Sequence, residues 1–162
     1  MKIGNIDFNW VIIYDSPSPI GFNTSIEAPH VHAMALELLK DHLKGKNRAL
    51  DIGSGSGYFT TLMSKLMDTG YVYGVDHLPE MVELANKNVD KSNAQLKEDG
   101  RIIFKEGDGR NGLKEFAPYD AIMFGGSLKK FPRIMDQIAI GGRMVNTFNK
   151  SQLILLTSLS HL

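Results

Sequence analysis

The run Leu50-Asp51-Ile52-Gly53-Ser54-Gly55-Ser56-Gly57-Tyr58 carries the residue types of a ligand site, and Asp76 follows its last glycine by nineteen positions. A strand running into three alternating glycines lets the backbone bend sharply and approach a ligand with no Cβ in the way. The helix that opens at Tyr58 offers unpaired amides and the positive end of its dipole. An acid at the end of the next strand is placed to hold the two hydroxyls of a ribose. Together these predict a nucleoside site; the alternative is a glycine-rich turn that holds nothing.

The glycine spacing narrows the choice of nucleoside. A dinucleotide fingerprint needs a third glycine at position 58, which is Tyr58, where helix and strand would have to pack closely. A phosphate-binding loop ends in Gly-Lys-Ser/Thr, and the chain has no such tripeptide. What remains, D-x-G-x-G-x-G, resembles the pattern of S-adenosylmethionine-dependent methyltransferases. In such a site the loop faces an amino-acid tail and a sulfonium rather than a pyrophosphate.

The elements that must position these residues alternate between strand and helix after position 28, the pattern of a parallel sheet covered by helices. Pro29 opens a helix carrying Val31, Met34, Ala35, Leu38 and Leu39, ended by Gly45. Strand one is expected over 49–53. The helix from Tyr58 should bury Leu62, Met63, Leu66 and Met67 and stop before Gly70. Strand two spans 71–76, and Pro79 starts a third helix with Met81, Val82, Ala85 and Val89 inward and Glu83–Lys87 as an i,i+4 pair. The polar stretch 91–100 reads as a loop or frayed end. Strands three and four are expected over 101–105 and 120–124, with Asp108-Gly109 as a turn after the third. A short helix after Pro132 should use Ile134, Met135 and Ile138 and end at Gly141-Gly142. Stretches 144–148 and 153–159 are further strand candidates. The expectation is one doubly wound domain over 1–162, with its ligand beyond the carboxyl ends of the strands. The glycine loop, Asp76 with His77, and Asp108 with Gly109 converge there. An acid-glycine turn at the third of these places can accept a bond from an adenine amino group, although such a turn is also ordinary loop chemistry.

Composition removes several function classes. The 162 residues suit one domain with a real core. Eighteen basic and eighteen acidic residues leave no net charge and no basic run, which argues against nucleic acid. With no cysteine there is neither a disulfide framework nor a thiolate metal site, and a reducing cytoplasm is expected. The longest apolar runs, Trp10 to Ile13 and Leu153 to Leu156, are too short to span a bilayer. No signal-peptide pattern opens the chain. A monomer without membrane attachment is expected.

The acceptor is constrained by what is missing. Amine methylation of a base relies on an Asn/Asp-Pro-Pro-aromatic loop after strand four, where this chain reads Phe124-Gly125-Gly126-Ser127. Methylation of a cytosine carbon needs a cysteine nucleophile. A carboxylate acceptor is ionised at neutral pH and needs no general base, so positioning and anion-friendly dipoles suffice. In Thr24-Ser25-Ile26-Glu27-Ala28-Pro29-His30-Val31-His32, Ala28 is a poor helix cap, so the first-turn amides are expected to be open to an anion. His30 and His32 face different directions on a helix and do not share a metal.

The chain resembles the protein-L-isoaspartate (D-aspartate) O-methyltransferases. The likeness runs from Tyr14-Asp15-Ser16-Pro17, Ile20-Gly21-Phe22, Ala28-Pro29-His30-Val31-His32-Ala33 and Ala35 to Leu39 into the glycine run. It continues through Gly74-Val75-Asp76-His77, Gly107-Asp108-Gly109-Arg110, Ala117 to Ile122 and Gly141-Gly142-Arg143, covering roughly 14–145. The resemblance implies a Rossmann-like, S-adenosylmethionine-dependent methyltransferase fold shortened at both ends. It implies methylation of isoaspartyl or D-aspartyl carboxylates in damaged proteins. It also implies cofactor contacts from Asp51, Gly53, Ser54, Gly55, Ser56 and Gly57, ribose contacts from Asp76 and His77, and adenine contacts from Asp108 and Gly109. Thr24, Ser25, Ile26, Glu27 and His32 would line the amino-acid tail and the acceptor.

The departures are as informative. Glu27 stands where the family has its active-site serine, removing a hydroxyl and adding negative charge beside two anionic groups. At an effective dielectric near 20, like charges about 4 Å apart repel by roughly 4 kcal/mol, more than a hydrogen bond of about 1 kcal/mol returns. Glu27 alternatively points into solvent or folds onto the helix start. Few residues precede Tyr14, and the chain stops before the family's closing part, leaving 153–159 as an expected unpaired or mispaired apolar edge. The loop Gly125-Gly126-Ser127-Leu128-Lys129-Lys130 differs from the family's alanine-rich version. A non-catalytic cofactor-binding or interaction protein on the same fold is the alternative, and Tyr58 disfavours an NAD-dependent oxidoreductase.

Overall fold

A computed structural model of the chain describes residues 2–3, 6–7, 15–126, 132–148 and 152–158. Tyr14, the run 10–13, Ser127 to Lys130 and Leu159, all used in the sequence reading, lie outside the described residues. Two small hairpins come first: β1 (Lys2–Ile3) with β2 (Ile6–Asp7), then β3 (Ser18–Gly21) with β4 (Thr24–Ile26). The main sheet holds β5 (Arg48–Ile52), β6 (Tyr71–Asp76), β7 (Ile102–Glu106), β8 (Tyr119–Phe124), β9 (Ile138–Phe148) and β10 (Gln152–Thr157). Their order is β10-β9-β8-β5-β6-β7, parallel throughout except for β10, which runs antiparallel to β9. The chain steps outward from β5 to β7 and then returns to β8 on the other side of β5. That reversal is the topological switch point at which ligands of such sheets bind.

Both faces of the central strands are apolar because both are covered. One face carries Ala49, Val72, Ala121, Met123 and Val145 under helices α1 (Pro29–Leu39) and α2 (Tyr58–Leu66). Helix α3 (Pro79–Glu98) extends that layer over Ile102 and Phe104 with Ala85 and Val89. The opposite face, with Leu50, Ile52, Tyr73, Val75, Ile122 and Phe124, is closed by the short helix α4 (Pro132–Met135) and two 3-10 turns at 109–111 and 114–116. Prolines occupy the first turn of α1 and α3, where a missing N–H costs nothing. Gly57 precedes α2 with φ 77°, a left-handed conformation that glycine adopts without strain.

Four expectations are corrected. The stretch 91–100 is not a loop: α3 continues to Glu98, bent at Asn93 (φ −150°, ψ 35°). Its polar composition reflects an exposed helix surface. Leu66 is exposed, and α2 instead buries Phe59, Thr60, Thr61, Met63 and Ser64, with Met67 just beyond it. Ile138 opens a strand rather than closing a helix, and Gly141-Gly142 lie inside β9. The apolar segment after 152 is paired along its length with β9, although Ile154 and Leu155 remain exposed on this edge strand.

Candidate functional site

At the carboxyl ends of β5, β6 and β8 the three successive glycines Gly53, Gly55 and Gly57 all take positive φ, at 80°, 51° and 77°. The loop is pinned from both neighbouring strands. The amides of Gly53 and Ser54 donate to the carbonyl of Val75 at 2.8 and 3.1 Å, and the Gly125 amide donates to Ile52 at 2.8 Å. Room for side chains is scarce here. A Cβ on Gly53 would stand 3.2 Å from the Gly125 carbonyl oxygen, and one on Gly109 would stand 2.4 Å from Ile52 Cγ2.

These strand ends enclose a cleft of about 640 Å³, within the range of a cofactor site. Thr24, Ser25, Gly53, Gly55, Asp76, His77, Asp108 and Gly109 line it, together with Ile20, Ile52, Glu106, Gly107, Arg110, Phe124, Gly125 and Gly126. Asp76 is 7% exposed, and its carboxylate is aimed by backbone rather than by side chains. Oδ2 accepts from the Gly55 amide at 3.0 Å and Oδ1 from the Leu78 amide at 3.1 Å, with His77 Nδ1 3.4 Å from Oδ1. Asp108 caps the turn that follows β7, and the Arg110 guanidinium forks onto both of its oxygens at 2.7–3.0 Å. The Arg110 side chain and its amide hold this carboxyl well below the usual range, at about 2.

A narrow recess of about 70 Å³ opens from the cleft, sharing Ile20, Ser25, Gly53, Gly55 and Gly125 with it. It runs toward the helix-covered face and is lined by Ile26, Glu27, His32, Asp51, Ser54, Ser56, Tyr58, Phe59 and Met123. His32 lies between two rings, 5.3 Å from the centroids of both Tyr58 and Phe59. Its burial lowers the imidazole pKa to about 4, so the ring is neutral at pH 7. Burial pushes the Asp51 carboxyl up to about 7, opposed by a 2.6 Å bond from the Thr60 hydroxyl and reinforced by the nearby charge of Asp76. The Ser54 hydroxyl is buried without a hydrogen-bond partner, a polar group left for a ligand to satisfy.

Fourteen of the fifteen residues singled out from the sequence thus line one cleft and its recess. Gly57 is the exception. A Cβ there would lie 2.9 Å from Phe104 Cζ and 3.1 Å from Ala85 Cβ, so this glycine serves helix packing beneath the loop. The start of α1 is also corrected. Ala28 does cap it without a side-chain bond, but Asp15 accepts from the His30 amide at 3.0 Å and lies 2.8 Å from His30 Nδ1. A carboxylate of the chain itself fills that anion position. Glu27 does not stand fully in solvent; it is half-buried in the recess wall. Sequence reasoning missed Ile20, Ile52 and Phe124 because apolar walls carry no motif. Glu106 was reachable, since it directly precedes the Gly107-Asp108-Gly109 turn.

The sheet order, the three-glycine turn and the acid at the end of β6 define the Rossmann-like fold of the S-adenosylmethionine-dependent methyltransferases. The structure of such an O-methyltransferase from Thermotoga maritima, 21% identical, superposes with a TM-score of 0.64 over 79% of this chain and 48% of that one. A structure from Plasmodium falciparum named for protein-L-isoaspartate O-methyltransferase, in complex with S-adenosyl-L-homocysteine, superposes with a TM-score of 0.81. It is 28% identical, over 90% of this chain and 72% of that one. Residues 6–159 match the family model of protein-L-isoaspartate(D-aspartate) O-methyltransferase, and the chain belongs to that family. The Caenorhabditis elegans protein-L-isoaspartate O-methyltransferase is 47% identical over 133 residues, 81% of this chain and 59% of that protein. An Arabidopsis thaliana relative of the same name is 48% identical over 81% of this chain and 43% of its own length. The chain therefore spans roughly half the length of these curated relatives.

Proposed function

We propose that this chain binds S-adenosylmethionine in the cleft and transfers its methyl group to the side-chain carboxylate of L-isoaspartyl or D-aspartyl residues in damaged proteins. The observation that carries the reading is Asp76. It is buried at a strand end and oriented by the amides of Gly55 and Leu78, and it faces a cleft that continues to Asp108 and Gly109. A carboxylate fixed by two amides is preorganised to accept bonds from a diol. The buried, unpartnered Ser54 hydroxyl and the positive-φ glycines supply the close backbone approach and hydrogen bonding that the remainder of an adenosyl ligand requires.

When bound, the cofactor supplies an electrophilic methyl on a sulfonium. The residues do the rest. Asp76 and His77 hold the ribose end, Asp108 and Gly109 the adenine edge, and the loop 53–56 with Asp51 the amino-acid end. Thr24, Ser25, Ile26, Glu27 and His32 form the wall on which the acceptor carboxylate is oriented. That acceptor arrives ionised, so no side chain need remove a proton. The neutral His32 ring adds no charge there. On this reading a single domain acts as a monomer in the cytoplasm on isoaspartyl-bearing proteins. Among the described residues no helix is long and apolar enough to cross a membrane.

Glu27 in the recess wall favours a second reading, a cofactor-binding protein that no longer transfers methyl groups. One experiment separates the two. Radiolabelled methyl transfer to an isoaspartyl peptide, with the normal aspartyl peptide as control, is expected to label only the former. Binding of S-adenosylhomocysteine without labelling of either peptide would leave the second reading.

A further inference from the structure

The recess beside the cleft is unusual in its balance of charge. Two carboxyl groups, Glu27 and Asp51, the latter pushed up to about 7 by burial, share its wall with the neutral His32 ring, and no Lys or Arg among the described residues lines it. Its remaining polar groups include the Ser54 hydroxyl, 6% exposed and without a hydrogen-bond partner, and the Ser56 side chain. A group entering from the cleft at Gly53 and Gly55 thus meets acids, hydroxyls and rings. With low-dielectric walls, one formal charge there shifts the affinity of a charged ligand far more than in water.

We propose that Glu27 makes this recess selective for cations, so that the chain holds the methylsulfonium form of an adenosyl ligand in preference to the neutral thioether left after transfer. This rests on the reading of the cleft as an adenosyl-cofactor site. The adenosine end is placed by Asp76 and Asp108, so the sulfur-bearing end of the ligand is the part directed toward Glu27 and Asp51. The amino-acid tail is common to both forms and cancels in the comparison. Only the charge at one centre differs. The same carboxylate that opposes an anionic acceptor attracts the methylsulfonium and loses that attraction once the methyl group has left, giving Glu27 a role that a serine does not perform.

Calorimetric titration of the chain with S-adenosylmethionine, S-adenosylhomocysteine and sinefungin tests this; in the last, a protonated amine replaces the methylsulfonium. The two cations are expected to bind about tenfold more tightly than the thioether, about 1.4 kcal/mol. In Glu27→Gln, which keeps shape and removes charge, that preference should fall to threefold or less, chiefly through weaker cation binding. Glu27→Asp should retain part of it. A merely structural role for Glu27 would move all three ligands together. Equal affinities in the unsubstituted chain, or a preference that survives Glu27→Gln, would overturn the inference while leaving the cofactor site intact. If none of the three binds to folded protein, the cofactor reading fails and the inference with it. If Glu27→Gln does not fold, Glu27→Ser, which removes the same charge with a smaller side chain, carries the test with the same expected loss of preference.

Discussion

The two halves of the candidate site are built by different means. Around Asp76 and Asp108 the geometry is set mainly by backbone: strand ends in parallel register, glycines at positive φ, and amides that aim the Asp76 carboxylate, with Asp108 held in addition by the Arg110 guanidinium. Around Glu27 and His32 it is set by side chains that the β3–β4 hairpin and α1 carry into the recess. A backbone-built half tolerates drift in side-chain identity as long as the glycines and the acid persist. A half built by side chains can change its chemistry with one substitution, and Glu27 sits in that half. The molecule is thus expected to bind its cofactor as its fold demands while treating the acceptor in its own way.

The comparison breaks first if the glycine loop is not under steric control. Gly57→Val places a branched side chain at φ 77°, with its Cβ 2.9 Å from Phe104 and 3.2 Å from Ala85 Cα. Overpacking and left-handed strain together should cost about 3 kcal/mol or more of stability in urea titrations. Gly100→Ala, at φ 68° with nothing within 4 Å, should cost only about 1 kcal/mol. Equal losses would mean that packing beneath the loop is irrelevant.

The buried titrating groups of the recess give a pair of opposed slopes. Asp51, raised to about 7, is more protonated in the native than in the unfolded chain, so its contribution is fully present below the usual carboxylate value and falls as pH rises toward 7. His32, lowered to about 4, is more protonated in the unfolded chain, so its contribution grows as pH rises from 4 to 6.5. They span on the order of 4 and 3 kcal/mol respectively, and between pH 4.5 and 6.5 their slopes largely cancel. Asp51→Asn should leave stability rising with pH, and His32→Gln should leave it falling. Identical slopes in both variants would contradict the burial of these groups.

Two ligand measurements sharpen the contrast between the halves. Asp76→Ala should weaken S-adenosylhomocysteine by about 1–3 kcal/mol, the cost of leaving buried hydroxyls unpaired; an unaltered dissociation constant in a folded variant removes the ribose role. Glu27→Ser should raise turnover or peptide affinity by a few-fold, with peptide kinetics as the readout. No change in either would mean that the carboxylate does not oppose the acceptor.

How much of this was legible in the sequence follows the same division. The strands β5, β6, β7 and β8 and the cleft residues on their ends could be read because glycine and acid at fixed spacing have few structural meanings. Strand β6 falls on its predicted residues, 71–76. The distal half of α3 was hidden, because a helix exposed on most of its surface has little apolar periodicity to read. The Asp15–His30 contact was hidden because it joins residues fifteen apart through a hairpin that local patterns did not announce. Gly141-Gly142 read as a stop signal, yet β9 continues through them: a Cβ at Gly142 would lie 2.9 Å from the Tyr119 carbonyl oxygen, a close approach between strands that needs glycine.

The most direct test of the account is a crystal structure with S-adenosylhomocysteine added. It should show the ribose hydroxyls bonded to Asp76, the adenine beside Asp108 and Gly109, and the thioether turned toward the recess of Glu27 and His32. A ligand bound elsewhere, or one that reaches the cleft without touching Asp76, would contradict it.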